Sequence, residues 1–200
     1  MKASEINTIF KEAIKDYHFT DNVDSQKPNK YSNDKFEGLL YQKNWIDTVQ
    51  WHLEDIIRDP ENAPETLVSI KRRIDASNQH RTDIVEEIDE YLFKMLGTVQ
   101  LQPDARLNSE TPSWLLDRMS ILQLKIYHFE EQLSRPDLDI SLLESIKNKL
   151  YILKIQESDL EMCYDELLSD LLTGKKYMKL YKQMKMYNDP NLNPVFYNKK

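Results

Sequence analysis

The sequence predicts an all-α fold, an antiparallel helical bundle of about five long helices plus a short basic C-terminal helix. Three observations predict it. Only 3 of the 200 residues are Gly, where a composition of ~7% would give about 14. So few glycines leave little room for the tight turns and phosphate-cradling loops that need φ > 0 or close backbone approach. Apolar residues recur at the 3.6-residue period over long stretches, and no alternating run is long enough to read as a strand. Proline and glycine fall where those stretches end.

The first helix is expected over about 4–17, with Ser4 as N-cap and Ile6, Ile9, Phe10, Ala13, Ile14 and Tyr17 on one face. A polar stretch from His18 to Asn33 reads as a long loop. The second helix runs over about 34–58, and Asp59-Pro60 stops it, because the residue before Pro is pushed out of the α region. The third runs over about 64–95 and ends at Gly97. The fourth has Thr111 as N-cap and Pro112 as first helical residue. Its apolar residues, from Trp114 to Leu133, cover most of the circumference, which marks a central helix. The fifth runs from Asp139 to about Leu172 with a near-heptad stripe interrupted at Glu157. A shorter basic helix is expected after Gly174, with Tyr177, Tyr181 and Met184 on one face, and then an irregular tail from Asn188.

Charge divides the chain unevenly. Residues 175–200 carry seven Lys against one acid, +6, which leaves −13 on residues 1–174 out of a total of −7. The division is into an acidic helical bundle domain, 1–174, and a basic extension, 175–200, packed on it. An acidic body argues against a nucleic-acid partner, since phosphate contacts need a basic face. No stretch approaches the ~18 apolar residues of a membrane span, and the first residues lack the apolar region of a signal peptide. The lone Cys163 excludes a disulfide framework, fits a cytoplasmic location, and near the heptad stripe reads as a small core residue.

The informative feature is polar residues at positions where the helical period predicts burial. On helix two these are Asn44, Asp47 and Thr48, near Trp51 and His52. On helix three they are Ser77, Asn78 and Arg81, between Ile74 and Ile84. On helix four they are Asp117, Arg118, Ser120, Lys125 and His128. Buried charges cost several kcal/mol each unless paired. Two readings follow. In one, Asp47 and Asp117 face Arg81, Arg118 and Lys125 across a cavity walled by Trp45 or Trp51. That cavity would hold an anionic small molecule through Asn44, Asp47, Trp51, Asn78, Arg81, Asp117, Arg118, Lys125 and His128. In the other, the same groups form a closed ion-pair network that fixes helix register.

His52, Glu54 and Asp55, with His128 and Glu131, have the residue types of metal ligands. The di-iron bundle pattern, however, is Glu-x-x-His twice over, whereas His128-Phe-Glu-Glu131 is reversed and single. No metal site and no cofactor are therefore expected. Arg73 and His80 have the Arg-x(4–6)-His spacing of the all-α nuclease superfamily named for higher-eukaryote and prokaryote nucleotide-binding domains. Ile70–Asn78 is similar, over one helix, to the opening helix of helical chorismate mutases. The long fifth helix makes a homodimer or another protein partner a further expectation.

Three longer strings carry a wider resemblance: Tyr41–Pro60, Lys71–Asp83 and Glu110–Glu131. Together they resemble the bacterial family catalogued as domain of unknown function 4254, over about Asn33 to Asn193. The family pattern has Gly after Thr-Pro, where this chain has Ser113. The resemblance implies an all-α cytoplasmic bacterial protein of about this length and supplies no catalytic residue. It implies an accessory role near glycosyltransferase and cell-envelope functions, with a phosphosugar or nucleotide-sugar as first ligand. The alternative is a small all-α enzyme using the same polar region for acid/base chemistry.

Overall fold

A computed structural model of the chain describes residues 1–28, 30–186 and 189–197. Its elements are α1 (Ala3–Thr20), α2 (Phe36–Ile56), α3 (Pro64–Leu96), β1 (Arg106–Leu107), α4 (Pro112–Gln132), α5 (Ile140–Leu172), β2 (Lys176–Tyr177) and α6 (Pro194–Tyr197). The five long helices form the bundle that the apolar periods predict.

α1 starts one residue before Ser4. Its N-cap is Lys2, whose backbone N–H donates to the Glu5 carboxylate at 2.7 Å. It also continues three residues past the expected end, and Asp21 closes it in the left-handed conformation at φ 46°. Asp tolerates that region better than most side chains. The extension matters because it carries His18 on the last turn. The start of α2 lies close against the loop before it. A Cβ at Gly38 would lie 2.0 Å from the Ser32 carbonyl oxygen, so the approach of the preceding loop requires Gly there. Gly174 takes φ +71° after α5, as a helix-terminating glycine does.

The main core joins α1, α2, α4 and α5 with the C-terminal half of α3. Phe10, Tyr17, Leu40, Tyr41, Trp45, Ile88, Leu116 and Tyr164 are within it. A smaller cluster of Leu53, Ile70 and Ile74 closes the α2–α3 interface. α4 is central, as its all-round apolar character predicts. Arg118 and Lys125 are the exception that defines its one wet strip. Seven residues is nearly two turns, so the two side chains share a face, and both are exposed. α5 buries Ile146, Leu160, Tyr164, Leu167 and Leu171. The Glu157 interruption is a polar junction, where Gln123 Nε2 donates at 3.0 Å and Lys11 Nζ at 2.9 Å. Cys163 is exposed, not in the core, because it falls one residue short of buried Tyr164 on the helix.

The basic segment is not the expected helix. After Gly174 the chain pairs Lys176–Tyr177 in parallel with Arg106–Leu107. It then runs without regular structure along α3, in the direction opposite to it. Lys182 Nζ meets Glu90 and Glu86, each at 3.0 Å. Lys185 Nζ donates to Thr82 Oγ1 at 2.6 Å and to the Asn78 carbonyl at 3.2 Å. The acidic body therefore receives the basic segment within the same chain. The expected stripe of Tyr177, Tyr181 and Met184 does not dock as a unit: Tyr177 is half-buried, Tyr181 and Met184 are exposed, and the buried residue is Met178. So short a segment gains little as an isolated helix, and its lysines find partners in the extended form. Tyr187, Asn188, Lys199 and Lys200 lie outside the described residues.

Candidate functional site

The polar positions of α2, α3 and α4 do meet. At the centre is a four-charge cluster. Lys43, Asp47, Arg81 and Asp117 are joined so that each cation touches both carboxylates. Lys43 Nζ reaches Asp117 Oδ1 at 2.9 Å and also pairs with Asp47. Arg81 donates from Nη2 to both oxygens of Asp117, at 2.9 and 2.7 Å, and pairs through Nε with Asp47 Oδ1 at 3.0 Å. Ser120 Oγ donates to Asp47 Oδ2 at 2.5 Å, and Asn44 Nδ2 donates to Ser120 Oγ at 3.0 Å. Thr48 Oγ1 returns a bond to the Asn44 carbonyl at 2.8 Å. Burial alone would push the Asp117 carboxyl up, but Lys43 and Arg81 together hold it below the usual carboxylate range.

Lys43 was not among the residues that the sequence singles out. Its side chain is fully buried. Lysine on a helix is normally exposed, which hides the signal. The signal is its register: Phe36, Leu40, Lys43 and Asp47 follow one another at helical spacing on the core face of α2.

Arg81 sits between two clefts. One, of about 420 Å³, is lined by Asp47, Gln50, Trp51, Glu54, Asp55, Arg58, Arg81, Ile121 and Leu124. The other, of about 330 Å³, is lined by Asn78, Arg81, Thr82, Trp114, Asp117, Gln183 and Lys185. Asn78 Oδ1 accepts from Gln50 Nε2 at 2.7 Å. Thus Asn44, Asp47, Asn78, Arg81 and Asp117 are brought together, and Trp51 walls the first cleft. Trp45 instead belongs to the apolar core. Arg118 and Lys125 do not join: they occupy the exposed strip of α4 and line neither cleft. Arg73 is tied to Asp24 at 2.7 Å, and His80 is exposed.

His128 is brought elsewhere. Its ring stacks on Trp51 at 4.9 Å and meets His18 and His52 edge-on. Burial, and the neighbouring His18 after it, pushes His52 down; burial likewise pushes His128 down, against Glu131.

Residues 37–180 match the family described as "Protein of unknown function (DUF4254)". The chain belongs to this family. No curated protein and no solved structure matches it. The matched span covers α2 to β2, and so contains all four charges of the cluster. Lys185 of this family member lies beyond the span and His18 before it. Among the described residues, no helix is long and apolar enough to cross a membrane.

Proposed function

We propose that the protein binds an anionic small molecule in the cleft between α3, α4 and residues 183–185, as an accessory protein and not as a catalyst. The observation that carries this is the convergence of Arg81 and Lys185 on one polar cleft. In the cluster Lys43 and Arg81 are offset by Asp47 and Asp117, so Lys185 supplies the surplus positive charge. A guanidinium carries five N–H donors, and the bonds to the two aspartates use only Nε and Nη2. Arg81 therefore retains donors for a phosphate or carboxylate. Asn78, Thr82 and Gln183 suit hydroxyls, and Trp114 offers an apolar wall. At about 330 Å³ the cleft is at the small end of ligand sites, which favours a phosphosugar over a nucleotide-sugar. The first cleft is less suited to an anion, because Glu54 and Asp55 join Asp47 on its walls. Acid/base chemistry is the weaker reading, since a carboxylate held ionised by two cations is a poor proton donor at neutral pH.

Thermal melts with inorganic phosphate, a hexose phosphate and a nucleotide-sugar test this. A ligand at 100 times its Kd stabilises the fold by about 2.7 kcal/mol. Lys185→Ala removes that gain while leaving the unliganded melt unchanged. No shift with any of the three, or an equal shift in the variant, rejects the reading. The exposed Cys163 fits a reducing cytoplasm. A self-associated form is favoured by Tyr151, Ile152, Ile155 and Met162, exposed along α5. Light scattering that gives a monomer mass rejects it.

A further inference from the structure

We infer that His18, His52 and His128 form a site for one divalent transition-metal ion, with zinc as its natural fit. Three of the chain's four histidines come from three different helices, α1, α2 and α4. One ring nitrogen from each lies within 4.8 Å of the others. His18 Nε2 and His52 Nε2 are 3.1 Å apart. Two imidazole ligands on a tetrahedral zinc, each at 2.0–2.1 Å, have nitrogens about 3.3 Å apart. The pair is thus already at ligand spacing, and the widest separation needs to close by roughly 1.5 Å.

For His18 and His128 the outer contacts aim a lone pair inward. His18 Nδ1 is 2.7 Å from the Ile14 carbonyl, which can only accept. In the neutral ring the proton is then on Nδ1, and Nε2 is an acceptor that faces His52 Nε2. His128 Nδ1 is 3.3 Å from Glu131 Oε2, a carboxylate acceptor. Its Nε2 is buried and has no hydrogen-bond partner among the described residues. Metal-bound histidines characteristically donate their second N–H to a carbonyl or carboxylate in this way, which fixes tautomer and ring orientation. An unpartnered buried acceptor is otherwise costly, and a cation is what relieves it.

The rings are held by packing. Tyr17 stacks on His52 at 4.9 Å, Trp51 on His128 at 4.9 Å, and Tyr127 lies against His18 at 4.3 Å. Asp21 Oδ1 is 3.9 Å from His52 Nε2 on the exposed side. It can supply a fourth ligand or face a bound water. Three imidazoles with a fourth position open to solvent suit zinc, and also the neighbouring ions that prefer nitrogen.

The full chain without a polyhistidine tag is stripped with chelator, then titrated with Zn²⁺ by calorimetry and with Co²⁺ by visible absorption. The expected result is one equivalent bound, with the strong d–d bands of tetrahedral Co²⁺. His18→Ala and His128→Ala each weaken Zn²⁺ binding by at least about 100-fold, and Glu131→Gln by about 10-fold, while His80→Ala changes nothing. Partial quenching of the tryptophan fluorescence, saturating at one equivalent of Cu²⁺, in the unaltered chain gives a readout that needs no variant to fold, since Trp51 stacks on His128. Absence of stoichiometric binding, or binding that survives the loss of His18 and His128 but not of His80, overturns the site.

Discussion

Two polar clusters lie along α2, one turn and a half apart, and their needs are met differently. In the Lys43–Asp47–Arg81–Asp117 cluster every charge has partners inside the fold, and cations equal carboxylates. In the His18–His52–His128 cluster the outer nitrogens of His18 and His128 have acceptors, the Nε2 atoms of His18 and His52 face each other, and His128 Nε2 has no partner among the described residues. The difference is one of balance: the first cluster is neutral in itself and offers a ligand only the unused donors of Arg81, whereas the second leaves a lone pair over. A buried group whose partners are all internal holds helices in register. A buried lone pair without a partner asks for something the chain does not supply.

Removing one charge from the closed cluster is the strongest way to test that contrast. Lys43→Met leaves two buried carboxylates sharing only Arg81. Breaking a buried ion pair from one side costs about 3–5 kcal/mol, so the urea midpoint should fall sharply. His128→Gln in metal-free protein should cost far less, about 1 kcal/mol, since it loses packing but strands no charge. If the two variants unfold alike, the distinction between a closed network and an open site fails.

The next effect is in pH. Asp117 is held below its ordinary range in the fold. Its contribution to stability is present above the unfolded carboxylate pKa and is lost as pH falls through the lowered folded value. The melting temperature should therefore drop on acidification, and Asp117→Asn should flatten that drop while starting from a lower melt at pH 7. Asp89 provides the opposite sign. Burial pushes it up, more than Ser113 and Thr111 pull it down. A raised carboxyl disfavours the fold where it must ionise. Asp89→Asn should raise the melt by a few degrees at pH 7, with the gain shrinking as pH falls through the raised value.

The five long helices were legible, and so were the ends marked by Pro60, Pro112 and Gly174, which act locally through backbone sterics; α1, without such punctuation, extends beyond its expected bounds at both ends. Asp47, Arg81 and Asp117 were legible because charge on an apolar stripe needs an explanation. Lys43 was not, since its type normally signals solvent. Arg118 and Lys125 were placed in the site because α4 is apolar almost all round, and a single wet strip is hard to see in that pattern. The histidine cluster was hidden by ending α1 at Tyr17. Three residues more of helix put His18 beside His52, a tertiary contact that no local spacing encodes.

Lys182 isolates what burial itself contributes to the comparison. Like Lys43, it touches two carboxylates, Glu86 and Glu90, each at 3.0 Å. Unlike Lys43, its side chain is 60% exposed. In water the Coulomb gain of such a pair is offset by side-chain entropy and screened by salt. Lys182→Ala should leave the melt unchanged within error at physiological ionic strength. Lys185 keeps its own bonds to Thr82 and to the Asn78 carbonyl, so ligand-induced shifts should also survive. Equal partner counts with opposite outcomes would show that water exclusion, not the number of contacts, gives the α2 cluster its strength. A large loss at Lys182 would instead mean that the extended strap is itself part of the fold's stability.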